Sequence, residues 1–151
     1  MLRFYRGLYA NVSPQRIKEL MQVFEVEQFM RQNLSTLSGG QQQRFNALLA
    51  VIHAPDLIIF DELTTGLDLE LQFKILNYIK TLKAGHDHTL IFVSHAPEEI
   101  DLLADRLIIL KEGRLFSDYL LSEVRTQFKS TRNLLTLFFA NQLPSNITEH
   151  E

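Results

Sequence analysis

With 151 residues, 46% of them hydrophobic, the chain has material for one soluble domain with a core of its own and no room for two. Its 15 basic and 18 acidic residues are interspersed and sum to a formal net charge of -3, which argues against a nucleic-acid binder, since neutralising phosphates needs a basic face. Cysteine is absent, so disulfides, thiolate metal sites and thiol nucleophiles are excluded.

In chain order, Met1 to Tyr9 is rich in Phe and Tyr and reads as part of a helix. Arg3, Phe4, Tyr5, Leu8 and Tyr9 form an aromatic patch there with two open readings, core packing or an interface. Charges interrupt every apolar stretch, no secretory apolar region follows, and no run reaches membrane-spanning length. A cytoplasmic location is therefore expected, on the inner face of a membrane only through a partner. Ser13-Pro14 pairs a capping hydroxyl with a first-turn proline. It opens a segment in which Ile17, Leu20, Met21 and Phe24 recur at helical spacing, which predicts an amphipathic helix. A further helix is expected from Gly39 to about His53, with Phe45, Leu48, Leu49 and Ile52 on one side, before Ala54-Pro55-Asp56 breaks the chain.

Leu57-Ile58-Ile59-Phe60 is a short continuous apolar run and reads as a strand buried on both faces. Asp68 can cap a helix from Leu69 to about Leu82, ended by Gly85-His86-Asp87. Thr89 to Val93 is the next buried strand, followed by a helix near Pro97 to Ala104. Arg106 to Leu110 makes a third strand, turned by Lys111-Glu112-Gly113 into a hairpin with Arg114 to Ser117. Leu134, Leu135, Leu137, Phe138 and Phe139 read as a terminal helix packed on the sheet, and Ser145 to Glu151 as a polar tail. The alternation predicts an α/β core with a mostly parallel sheet and a helical segment in front of it.

Three clusters carry chemistry. Leu37-Ser38-Gly39-Gly40-Gln41 is either a capped helix start or a phosphate-contacting loop, and the two readings share one geometry. Glycines let backbone N–H groups approach a phosphate, the helix N-terminus favours negative charge, and Ser38 adds a hydroxyl donor. Asp61-Glu62 closes an apolar strand at its C-terminal end, where open α/β sheets bind ligands. Ser94-His95 follows the next strand in the same way, whereas His53, His86 and His88 have no companions at ligand spacing and read as structural or solvated.

At these residues the chain resembles the ATP-binding cassette ATPases, over about Met1 to Phe116 and over only the second half of a complete cassette. The resemblance implies a partial P-loop NTPase core of the cassette type. By it, Ser38, Gly39, Gly40 and Gln41 are the signature that contacts the γ-phosphate of ATP on the opposite cassette. Asp61 holds Mg²⁺ through water, Glu62 polarises the attacking water as general base, and His95 is the switch histidine that contacts the γ-phosphate. Thr65-Gly66-Leu67-Asp68 matches the D-loop, so Asp68 both caps a helix and faces the second site. Leu63 stands where the family usually has proline, which leaves the backbone after Glu62 less restricted.

No G-x-x-x-x-G-K-[ST] phosphate loop occurs in this sequence, and the adenine-stacking aromatic and the glutamine loop of the family are missing too. Weak or no ATP binding by the chain alone is expected, together with a truncated or split gene as its origin. In the family the strand leading into the phosphate loop lies between the strands matching Thr89 to Val93 and Arg106 to Leu110. Two apolar strands are therefore expected to lack their neighbour, and the chain to be poorly soluble, to pair them directly, or to recruit another polypeptide.

The implied function is the ATP-binding subunit of a transporter, working with a second cassette and a membrane-embedded permease. The short tail after Gly113 favours an exporter. The segments expected are 1–53 helical with the signature, 54–118 half of the core, and 119–151 a helical tail. A non-catalytic half-cassette supplying the signature in trans is the alternative. Chromosome-maintenance ATPases share the signature, but no sustained heptad repeat appears here.

Overall fold

The computed structural model describes residues 12–85 and 88–146. The aromatic patch of Met1 to Tyr9, His86, Asp87 and the end of the tail from Ile147 lie outside the described residues. The chain divides into two compact units, Met1–Val93 and Ser94–Glu151.

The first unit opens with helix α1 (Pro14–Val23), where the Ser13 side chain accepts from the Arg16 N–H at 3.1 Å and Pro14 takes the first helical position. Helix α2 (Gly39–Val51) follows two short 3-10 turns, and strand β1 (Leu57–Asp61) runs next. Helix α3 (Leu69–Gly85) then leads into strand β2 (Thr89–Val93). The two strands pair in parallel, with Leu57 opposite Thr89, Ile59 opposite Ile91 and Asp61 opposite Val93. The Nδ1 atom of His88 lies 2.7 Å from the Pro55 carbonyl, tying together the starts of both strands, so its part is structural, as its sequence reading has it.

One face of this pair is covered. Ile58 and Phe60 are buried, α2 packs on β1, and α1 packs on α3. Leu20, Phe24, Leu48, Ile75 and Ile79 fill the space between, each contributing about 1.5–3 kcal/mol by leaving water. Two arginines clamp the helices together: Arg16 reaches the Val51 carbonyl and lies over the Tyr78 ring, and Arg44 lies over Phe29.

The opposite face corrects the expectation of a strand buried on both sides. Leu57 is 50% exposed, Ile59 59%, Ile91 50% and Val93 49%. A continuous apolar run is what a doubly covered parallel strand requires, but among the described residues nothing covers this side.

The second unit holds helix α4 (Pro97–Leu103), strands β3 (Arg106–Lys111) and β4 (Arg114–Leu120), and helices α5 (Leu121–Phe128) and α6 (Thr131–Phe139). The antiparallel β3–β4 hairpin turns on Glu112 and Gly113, both at positive φ (+53° and +75°), the pattern of a two-residue turn matched to strand twist. Helix α6 packs on α4 and α5, anchored by Leu134, while Phe139 remains 74% exposed. Thr131, fully buried, donates to Asp101 at 2.6 Å. Among the described residues β2 pairs with β1 and β3 with β4 in two separate ladders, and direct pairing of β2 with β3, one of the three outcomes expected, is not among the pairings.

On the hairpin Arg106 forks onto Asp118, and this hydrogen bonding holds the Asp118 carboxyl below the usual carboxylate range. A carboxyl lowered on folding adds stability above its unfolded pKa of about 3.9, and that stability is lost as pH falls through the folded value. Asp118→Asn is therefore expected to lower the thermal midpoint slightly at neutral pH, with the difference from the unsubstituted chain closing in acid below about pH 4. Thermal scans of both proteins from neutral to acid pH check this.

Candidate functional site

The site is assembled on the first unit from two turns, the one entering α2 and the one leaving β1. Ser38 is exposed, in extended backbone (φ -64°, ψ 161°), and its side chain accepts from the Gln41 N–H at 3.3 Å. The Gln41 side chain reaches back and accepts from the Ser38 N–H at 2.9 Å, completing a reciprocal cap. Gln41 is therefore committed to the cap, and its carboxamide turns back on its own helix.

This accounting leaves the N–H groups of Gly39 and Gly40 as the donors of the first turn with no partner among the described residues. Accepting one bond leaves the Ser38 hydroxyl its proton to donate. A Cβ built on Gly39 meets nothing within 4 Å, and one on Gly40 meets only Leu67 Cδ2 at 3.9 Å, so there is open space beside both glycines. Two backbone donors, one hydroxyl and the positive end of a 13-residue helix meet at an exposed surface, an arrangement that favours an anion.

At the other turn, Asp61 is exposed at the C-terminal end of β1 and Glu62 is half-buried directly after it. Glu62 has φ +47°, in the left-handed region, which costs a residue other than glycine about 1–2 kcal/mol. Three hydrogen bonds over-determine it. Its N–H donates to the Val93 carbonyl at 3.0 Å, one residue past the β1–β2 ladder, and its carbonyl accepts from the Thr65 N–H at 3.1 Å and from Gln43 Nε2. Leu63, in place of the family's proline, is buried beside buried Thr64, so an apolar anchor fixes this turn where a ring would restrict it.

The next residues are held as firmly. Gln72 Nε2 donates to the carbonyls of Thr64 (3.1 Å) and Leu67 (3.0 Å), and Gly66 takes φ +75°. Asp68 caps α3, accepting from the Leu71 N–H at 3.0 Å, as its position in the sequence predicts. The structure thus brings Ser38, Gly39, Gly40, Gln41, Asp61, Glu62 and Asp68 onto one unit. His95 belongs to the second unit, where it is exposed. It follows Ser94, whose hydroxyl donates to Glu99 at 2.6 Å and accepts from the Ala96 N–H. The chain leaves β2 at Val93, the register partner of Asp61, and His95 comes two residues later.

Sequence reasoning gave no role to Gln43 or Gln72. Nothing in their spacing marks them, because their carboxamides act on carbonyls of other turns.

Among the described residues no group of three or more His, Cys, Asp or Glu could hold a metal by itself. One carboxylate pair at a strand end suits an ion that keeps waters and binds through a substrate's phosphates, the habit of Mg²⁺. No helix among the described residues is long and apolar enough to cross a membrane.

A parallel strand pair backed by helices, with a capped glycine turn and an acidic turn on one unit, fits a nucleotide-handling fold of the P-loop NTPase class. The comparisons agree. Residues 4–65 match the family described as ABC transporter. Over 142 residues, 94% of this chain, the sequence is 31% identical to the spermidine/putrescine import ATP-binding protein PotA of Shigella boydii serotype 4 (strain Sb227). It is 30% identical over the same length to PotA of Escherichia coli (strain K12). The chain spans 36% of the length of these relatives.

Among solved structures, a dimeric post-hydrolysis state of the ATP-binding cassette MJ0796 bound to ADP and Pi superposes with a TM-score of 0.63 at 30% identity, over 71% of this chain and 46% of that one. A bacterial Atm1-family ABC exporter with ATP bound shares the fold, with a TM-score of 0.62 at 20% identity over 92% of this chain and 25% of that one. Over most of its length the chain is similar to part of an ABC transporter nucleotide-binding domain.

Proposed function

We propose that this chain forms the signature-bearing and water-activating part of a transporter's ATP-binding subunit, which couples ATP binding and hydrolysis to movement of a solute across a membrane. The observation that carries the reading is the first turn of α2, where Ser38, Gly39 and Gly40 offer three donors on an open surface of the unit that also carries Asp61 and Glu62.

In this reading Ser38, Gly39 and Gly40 donate to the terminal phosphate of ATP held on a second cassette, and Gln41 holds the turn in shape. Asp61 would hold Mg²⁺ through water; the ion, when bound, neutralises charge developing on the phosphates. Glu62 takes a proton from the attacking water, His95 meets the γ-phosphate, and Asp68 belongs to the segment that faces the second cassette. Functionally the chain divides into a signature-bearing helical part (1–53), a strand-bearing part (54–118) and a helical tail (119–151).

The partners are a second cassette and a membrane-embedded permease, which would hold the subunit on the inner face of the membrane. The PotA relatives are import proteins by name and one structural neighbour is an exporter, so the proposal is made for transport itself, without a direction.

The test is ATP-dependent association with a complete cassette. Gly39→Asp is the informative variant. Its side chain enters open space at the first helical position, where a carboxylate favours the helix dipole, so the fold is expected to be kept or slightly strengthened. The same carboxylate faces the phosphate. Association measured by sedimentation with Mg-ATP should weaken at least about tenfold in the variant, from the loss of roughly one charge-assisted hydrogen bond and added repulsion. Association that ignores nucleotide, or is unchanged in the variant, overturns the reading.

A further inference from the structure

We propose that Gln43 is a positioning residue for Glu62, and that it links the signature turn mechanically to the acidic turn of the same unit. The inference rests on the proposed function for its catalytic meaning and on geometry alone for its structural content.

Helix α2 carries both groups involved. Its first turn presents Ser38, Gly39 and Gly40, and one turn further on Gln43 donates its carboxamide N–H to the Glu62 carbonyl. That carbonyl belongs to a residue at φ +47°, a conformation that glutamate does not adopt unless its surroundings impose it. Of the three bonds that impose it, the Val93 bond continues the sheet and the Thr65 bond closes a local turn. The Gln43 bond is the one that arrives from a helix, α2, 19 residues away in the chain.

A shift of α2 along its axis, such as a phosphate seated on its N-terminus would favour, is therefore transmitted to the backbone from which the Glu62 carboxylate hangs. Gln72 holds the next stretch from the other side through Thr64 and Leu67, so the 62–68 segment is strung between two glutamines on two helices. Contact with the second site's phosphate and the posture of this site's base become properties of one rigid connection.

The test is amide hydrogen exchange on the intact chain, comparing it with Gln43→Leu and Gln43→Glu. The first removes the donor; the second keeps the shape and sets a carboxylate against the carbonyl. Exchange at the Glu62 and Thr65 amides should rise about fivefold or more in both variants, the effect of losing one hydrogen bond in a locally opening turn, while amides within α1 and the β1–β2 ladder stay near their original rates. Unchanged rates at these two amides in either variant that folds overturn the proposal. So does a rise shared by the whole unit, since that reports lost stability and not lost positioning.

In the assembled ATPase, Gln43→Leu should lower kcat and leave KM for ATP nearly unchanged. If exchange responds but Glu62→Gln leaves turnover intact, the positioning stands and the catalytic reading of Glu62 falls, so the two failures are separable.

Discussion

Glu62→Gln is expected to lower ATP turnover in the assembled ATPase about 100-fold to 10,000-fold, the range that a positioned general base contributes, with little change in the chain's thermal stability. The substitution keeps size, backbone and hydrogen bonding of the main chain and removes only the ability to accept a proton. Glu62→Gly should do something a merely structural glutamate would not explain. Glycine adopts φ +47° without a Cβ penalty, so relief of strain, offset in part by unfolded-state entropy, is expected to stabilise the fold by about 1 kcal/mol and raise the thermal midpoint by about 3 °C. Turnover should fall as far as in Glu62→Gln. A more stable and inactive protein is the signature of strain kept for the sake of a carboxylate. Steady-state ATPase assays and thermal scans on the two variants decide it, and turnover within tenfold of the original in Glu62→Gln would remove Glu62 from the role of base.

Much of this turn was legible in the sequence and its decisive detail was not. Asp61-Glu62 closing an apolar strand, Asp68 capping the next helix and Ser38 capping another are local patterns, and the structure reproduces all three. Strand β2 falls on Thr89–Val93, the span that its flanking polar residues predict. The left-handed Glu62 is different. Glutamate has no leaning toward that region, and bonds from Val93 and Gln43, distant in the chain, help to impose it.

Within the helical tail expected over 119–151, the bounds of helix α5 were not legible, for another reason. It starts at Leu121, directly after the last residue of β4, with no turn residue to announce the change, and Leu121 and Val124 are its only fully buried positions in eight residues. The cue that was present is Glu123, whose side chain accepts from the Leu120 N–H at 2.7 Å. Burial of β1 on both faces was misjudged because an apolar run reports what a strand can bury and not what is there to cover it.

That uncovered face has the second large consequence. Leu57, Ile59, Ile91 and Val93 present one apolar surface, Ile59 and Ile91 are direct cross-strand partners, and β2 has no strand on its other side among the described residues. The β2 sequence Thr-Leu-Ile-Phe-Val contains no charge or proline of the kind that blunts an edge. The isolated chain is therefore expected to self-associate at micromolar concentration. Burying the exposed halves of two isoleucines contributes about 1.5–3 kcal/mol per copy, enough to outweigh the modest repulsion of a net charge of -3. The double substitution Ile59→Thr, Ile91→Lys places a polar β-former and a charge on positions already in water, so folding should shift by no more than about 1 kcal/mol. The concentration for half-association should rise about a hundredfold or more, as the lost burial dictates. Sedimentation velocity over a concentration series reads it directly. A chain that stays monomeric without the substitutions, with one cooperative thermal transition, would mean that this face is satisfied within the molecule and that no further strand or helix is needed to cover it.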